Sequence, residues 1–242
     1  MVWYARSRGT VVLKWCGAVS ACMAVGSYDD TAGTGHTLAE SWNGKSWSAL
    51  TTLDPDSNGD LFNAVFCTAA GSCVAVGSGG NRPLVEAWNG TTWSQEPTPT
   101  SGFGPLLSVS CTAPSACAAV GRVGSNAQAG TWNGTAWTMR RLPVPAGSNE
   151  AGLNGVACIA ASKCTAVGFS LRYSDFNTLT LAEAWNGTAW TVQPAANPPH
   201  AQVSGFSGVS CTGGGACTAV GNAGPLVGLF GVDVPLAEQR PA

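Results

Sequence analysis

Short apolar runs, each closed by Gly, Pro, Asn, Ser or Asp, follow one another from end to end of this chain, and none shows the spacing of an amphipathic helix. The pattern predicts an all-β chain. Leu106 to Cys111 reads as one strand and Cys117 to Val120 as the next, and the same pair recurs wherever a Cys-x5-Cys-x3-Gly signature appears. That signature occurs as Cys16/Cys22/Gly26, Cys67/Cys73/Gly77, Cys111/Cys117/Gly121, Cys158/Cys164/Gly168 and Cys211/Cys217/Gly221. Between successive copies lies Trp-Asn-Gly-x-x-Trp, at Trp42/Trp47, Trp88/Trp93, Trp132/Trp137 and Trp185/Trp190. A fifth, degenerate copy reads Leu229-Phe230-Gly231 and then Val232-Asp233-Val234.

Each repeat therefore holds four short strands: one ending at the first Cys, one starting at the second, one running into Trp-Asn and one leaving Gly. Asn-Gly predicts a two-residue turn with positive φ at both residues, which would set Trp42 opposite Lys45 and Glu40 opposite Trp47. Glu40, Trp42 and Trp47 then share one sheet face, as do Glu86/Trp88/Trp93 and Glu183/Trp185/Trp190, while the third copy has Gly130 in the Glu position. Two indoles per repeat form a slab that a lone sheet cannot bury, so neighbouring sheets must stack on it. The expected architecture is a β-propeller of five four-stranded antiparallel blades, either a five-bladed ring or part of a larger propeller. One domain covers 1–242, with repeats near 11–53, 61–98, 105–142, 153–195 and 206–240. Val2-Trp3-Tyr4-Ala5 looks like a fourth strand, so residues 1–10 are expected to clasp the last blade or to end a preceding one; residues 232–239 compete for the same place.

The ten cysteines pair within each repeat, since only that connectivity is open to every copy alike: Cys16–Cys22, Cys67–Cys73, Cys111–Cys117, Cys158–Cys164 and Cys211–Cys217. Each closure removes about 2 kcal/mol of unfolded-chain entropy. One isolated pair per repeat does not build a zinc tetrahedron. Five bridges imply an oxidising compartment and a secreted protein. Met1 to Thr10 has no apolar leader core, so the N-terminus is expected to be incomplete.

The repeat resembles the kelch-type propeller blade in Cys73-Val-Ala-Val-Gly77, Leu84-Val-Glu-Ala-Trp88-Asn-Gly-Thr-Thr-Trp93-Ser-Gln-Glu-Pro97 and Leu106-Leu-Ser-Val-Ser-Cys111. It lacks the Gly-Gly doublet of kelch and adds the disulfide. It is also similar to the Cys-paired repeats of secreted bacterial propeller proteins. These resemblances cover roughly residues 11 to 240 and imply a propeller fold.

Only 10% of residues are charged, the net charge is −2, and no basic stripe exists to neutralise a phosphate backbone or meet an anionic membrane surface. No apolar run is long enough to span a bilayer as a helix. Strand alternation sends the Cys-x5-Cys and Asn-Gly turns to one rim. The loops between second and third strands, and from a fourth strand to the next first strand, go to the other. The first rim repeats itself and the second varies, so recognition is expected on the second. Its candidate ligand-binding residues are Asp29, Asp30, His36, Arg82, Arg122, Arg172, Tyr173 and Asp175, suited to a glycan, a cell-wall component or an extracellular protein. Asp54, Asp56, Asn58 and Asp60 make calcium the one candidate cofactor, although position twelve of that loop is Val65 and Asp/Asn/Gly is also ordinary turn chemistry. His36 and His200 stand in no nucleophile, metal or phosphate motif, and Glu40, Glu86 and Glu183 read as structural acceptors. The expectation is a monomeric, non-enzymatic binding or scaffold propeller without a bound cofactor. The alternatives are a propeller glycoside hydrolase or lyase, and a structural repeat fragment.

Overall fold

A computed structural model of the chain describes residues 10–99, 101–225 and 234–240, and every regular element in them is a β-strand. The first repeat supplies β1 (Thr10–Ala18), β2 (Ala21–Asp29), β3 (Gly35–Trp42) and β4 (Trp47–Leu50). The second supplies β5 (Asp60–Ala69), β6 (Ser72–Gly79), β7 (Arg82–Trp88) and β8 (Trp93–Gln95). The third supplies β9 (Leu106–Ala113), β10 (Ala116–Val123), β11 (Asn126–Trp132) and β12 (Trp137–Arg141). The fourth supplies β13 (Glu150–Ala160), β14 (Lys163–Leu171), β15 (Thr178–Trp185) and β16 (Trp190–Gln193), and the fifth β17 (Val203–Cys211), β18 (Cys217–Gly224) and β19 (Val234–Arg240).

Repeats one to three are separate antiparallel meanders, whereas the fourth and fifth share one sheet, so the described residues form four sheets where five were expected. The join is a single parallel pair, Thr178 with Val203, beside a hydrogen bond from the Thr178 N–H to the Gln202 carbonyl at 2.8 Å. It marks packing of two repeats at one corner, since the rest of β17 pairs with β18.

One register line crosses each of the first four sheets. In the second repeat Cys67 lies opposite Cys73, Cys73 opposite Trp88, and Trp88 opposite Trp93. The first, third and fourth repeats repeat this Cys-Cys-Trp-Trp row. All five cysteine pairs are bridged locally, with Cα atoms 3.9 to 4.1 Å apart. The paired indoles lie 5.7, 5.5, 5.7 and 5.7 Å apart between centroids.

The register corrects the expected turn. Trp42 faces Trp47 and Glu40 faces Ala49, so four residues, not two, link β3 to β4. Only Gly44 takes positive φ (93°), while the Asn43 side chain accepts the N–H groups of Lys45 and Ser46 at 2.9 and 3.0 Å. Asn is thus an Asx-turn acceptor, as Asn89, Asn133 and Asn186 are in their repeats. The fifth repeat is corrected too. Residues 234–240 are its third strand, not a fourth, with Glu238 opposite Ala219 and Arg240 opposite Cys217 where other repeats have Trp. The proposed clasp at Val2 to Ala5 and the Leu229 to Asp233 segment lie outside the described residues.

The glycine closing the Cys-x5-Cys-x3-Gly signature is dictated by a backbone approach at Gly77, Gly121, Gly168 and Gly221. Opposite it the first strand breaks register, at Leu153/Gly155 in the fourth repeat, which brings a carbonyl onto the glycine. A Cβ on Gly168 would sit 2.0 Å from the Gly152 oxygen, and one on Gly77 1.9 Å from the Leu61 oxygen.

The repeats stack back to front. Val76 and Val85, on the back of the second, pack against Leu106, Ala119 and Trp137 on the front of the third. Val120 and Ala129 meet Leu153, Ala166, Leu181 and Trp190 in the same way, Val25 and Ala39 meet Phe62, Leu84 and Trp93, and Val167 meets Phe206 and Ala219. First strands of successive repeats lie side by side along the inner edge. Gly168→Ala is expected to lower the unfolding free energy by about 3 kcal/mol, the upper range for overpacking. Denaturant titration checks this, and a variant as stable as the parent would contradict the close approach.

Candidate functional site

The variable rim gathers the sequence-predicted residues into two networks. In the first, His36 lies between two carboxylates, with Nδ1 3.0 Å from Asp54 and Nε2 3.3 Å from Asp30, and its ring stacks on Tyr28 at 5.1 Å. The two carboxylates, Asp54 first, raise the His36 pKa above its ordinary value, and the Thr34 N–H and His36 lower that of Asp30. Asp29 is exposed at the end of β2. Arg82 pairs with Asp56, whose carboxylate also accepts the Asn58 amide and is held low by these bonds, the Asn58 backbone N–H first.

The calcium expectation is not supported by this arrangement. Among the described residues no group of three or more His, Cys, Asp or Glu side chains is disposed to hold a metal ion. Asp54 accepts the N–H and hydroxyl of buried Thr37 at 2.8 and 3.0 Å. Asn197 does the same for Thr180 in the fourth repeat at 2.8 and 3.2 Å, so Asp54 fills a repeated clamp position. Asp60 is 1% exposed, receives the Asp56 N–H at 2.9 Å, and has its pKa raised chiefly by burial. The loop is an Asx-built turn.

In the second network Arg122 reaches Glu150 at 3.4 Å and lies over the Phe169 ring at 6.0 Å, and the Tyr173 hydroxyl donates to the other Glu150 oxygen. That bond raises the Tyr173 pKa. Arg172 instead pairs with Asp175 at 2.8 Å within its own loop. Tyr173 and Phe176 are exposed, at 49% and 66%.

Two clefts of about 530 Å³ open on this rim and meet at Asn81. One is polar, lined by Ser27, Asp29, Asn58, Asp60 and Ser78. The other is more apolar, lined by Phe103, Leu107, Arg122, Asn154 and Phe169. Of this second set only Arg122 was singled out from sequence. Phe169 carried one usable signal, as a ring directly after the signature glycine Gly168.

Glu86 and Glu238 tie adjacent repeats together. Glu86 is fully buried and accepts the N–H of Leu53, six residues after Trp47 in the preceding repeat, at 3.3 Å. Glu238 accepts the N–H of Ala196, six residues after Trp190, at 2.9 Å. The same donor position ahead of Glu183 is Pro143, which has no N–H, and one oxygen of Glu183 is buried without a partner. Ahead of the third repeat it is Pro99; there Gly130 replaces Glu, and buried Gln128 bonds instead to Gly104 and Pro105. Burial raises both Glu86 and Glu183 to about 7.

No family model and no curated protein matches this sequence. Among solved structures, YCF48 bound to D1 peptide aligns at TM-score 0.56 and 12% identity over 90% of this chain and 63% of that one. YCF48 from Cyanidioschyzon merolae aligns at 0.54 and 12% over 98% and 69%. A GH74 xyloglucanase from Xanthomonas campestris aligns at 0.50 and 13% over 84% and 34%. The chain therefore spans less than two thirds of the first of these structures. At such identities the likeness defines a class, the β-propeller fold, and nothing narrower.

A buried carboxyl with a raised pKa stabilises fully below its unfolded value, near 4.5, and that contribution is lost as pH rises through about 7. Glu183→Gln is therefore expected to leave stability unchanged near pH 4.5 and to raise it by up to about 3 kcal/mol at pH 8. Thermal melts at both pH values check this. A variant less stable than the parent at pH 8 would contradict it.

Proposed function

We propose that this chain is a secreted, non-enzymatic propeller module that holds an extended protein or peptide segment along its variable rim. The observation that carries the reading is the contrast between the rims. One repeats the same disulfide hairpin and Asx turn, while the other collects non-repeated charged and aromatic side chains around two clefts that meet at Asn81. Five disulfides fit an extracellular or other oxidising setting. The fold likeness to YCF48, solved with a D1 peptide, agrees with a peptide-sized occupant.

The Arg122–Phe169 pair would form one wall, offering a cationic face and a ring to an apolar side chain. A glycan or cell-wall component remains the alternative ligand. Hydrolysis is the second reading, favoured by the fold likeness to the xyloglucanase. It needs two carboxyls opposed across a cleft, about 5 to 9.5 Å apart. Asp29 and Asp60 are the acidic side chains lining the two clefts.

Screening the disulfide-intact protein against a peptide library, a glycan array and a glycoside panel separates these readings. The expected result is peptide hits weakened about tenfold, or ~1.4 kcal/mol, by Arg122→Ala or Phe169→Ala with unchanged melting temperature. Glycan hits alone, or turnover lost in Asp60→Asn, would overturn it.

A further inference from the structure

The first network on the variable rim is built around a ring with a carboxylate at each edge. His36, second residue of β3, has Nδ1 3.0 Å from Asp54 and Nε2 3.3 Å from Asp30, while Tyr28 of β2 stacks on its face. Only the imidazolium has two N–H groups to give both carboxylates; the neutral ring has one, and its bare nitrogen then faces a carboxylate oxygen. The two acceptors are themselves fixed. Asp30 accepts the N–H groups of Ala32 and Thr34 at 2.8 and 2.9 Å, and Asp54 accepts the N–H and hydroxyl of Thr37. The ring therefore joins the β2–β3 loop to the connection between β4 and β5.

The same connection is held from the second repeat, where Glu86 of β7 accepts the N–H of Leu53, the residue before Asp54. The other charged groups around this point are Asp29 of β2, Asp56 of the connection and Asp60 of β5, with Arg82 of β7 taken up by Asp56. Gly35, next to His36, lines the polar cleft together with Asp29, Gly59 and Asp60. A Cβ on Gly35 would meet the Asp60 carbonyl oxygen at 3.5 Å, and one on Gly59 the Gly35 nitrogen at 3.4 Å, so the cleft wall is continuous with the join.

We propose that His36 is an acid-tightened catch on the polar cleft: protonated, it ties the β2–β3 loop to the β4–β5 connection and fixes the cleft wall, and deprotonated it releases that wall. Asp54 first, then Asp30, raise the His36 pKa, so its contribution is complete below the ordinary 6.5 and is lost as pH rises through the raised value. Glu86 acts in the same direction, since burial raises it to about 7 and its ionisation places charge near Asp54 and Asp60. A wall already fixed loses less conformational freedom on binding, so a ligand in the cleft is held more tightly at acid pH. That last step rests on the reading of the rim as a peptide site; the catch does not.

Proton NMR of the oxidised full chain, with ring signals assigned by comparison with His36→Phe, should give His36 a midpoint above 6.5 that falls in Asp30→Asn. Amide exchange corrected for the intrinsic rate should protect Thr37 several-fold more at pH 5.5 than at pH 8 in Glu86→Gln, and equally at both pH values in Glu86→Gln with His36→Phe. Peptides recovered from the library screen should follow the same pattern in affinity. A His36 midpoint at or below 6.5, Thr37 protection independent of pH in Glu86→Gln, or a dependence that survives in the double variant would overturn the proposal. Peptides bound equally at pH 5.5 and pH 8 would overturn the control of the cleft and leave the peptide reading intact. A pH-dependent catch with no peptide bound would uphold the catch and remove that reading.

Discussion

Burial of the front face of one repeat by the back face of its neighbour is the constraint on which the rest of this structure depends. A single four-stranded meander here exposes apolar side chains on both sides, Leu84 and Trp93 in front and Val76 and Val85 behind, and becomes a folded unit only between neighbours. The Cys-Cys-Trp-Trp row prepares each sheet for that stacking. The disulfide closes the first hairpin, the facing indole donates its N–H into that hairpin, as Trp132 does to Pro114 at 3.1 Å, and the second indole goes under the preceding repeat. The signature glycine admits the inner-strand bulge that leaves the row undisturbed.

A polar clasp is laid over the apolar stack. Where the exit strand of one repeat offers an N–H, a glutamate of the next accepts it, as Glu86 does from Leu53 and Glu238 from Ala196. Where proline stands instead, the clasp is replaced at Gly130 and Gln128, or left incomplete at Glu183. These carboxyls lie within the stack, so their repetition serves packing. The rim carrying Arg122, Glu150, Phe169 and Tyr173 is built from side chains that do not recur from repeat to repeat, with Arg122 of the third repeat set against Glu150 and Phe169 of the fourth.

The repeat, its local disulfides and the common face of Glu and Trp were legible because each rests on short-range spacing that recurs. The turn register was misread because Asn-Gly suits two hairpin geometries, and the cross-strand Trp42–Trp47 pair selects the longer one. The third strand of the fifth repeat was not legible from the tryptophan spacing because it carries Arg240 where the other repeats have Trp. Leu236-Ala237-Glu238, matching Leu38-Ala39-Glu40 and Leu181-Ala182-Glu183, would have placed it. Phe103, Leu107 and Asn154 come together only through stacking, which no local spacing encodes. The clamp of Asp54 on Thr37 joins residues seventeen positions apart, which the local Asp/Asn/Gly spacing of that loop does not reveal.

Equivalence of the repeats is the central claim, and the cysteine connectivity tests it most directly. Peptide mapping of the unreduced protein by mass spectrometry should recover five bridges, each joining cysteines six positions apart. Free thiols, or bridges linking one repeat to another, would contradict it.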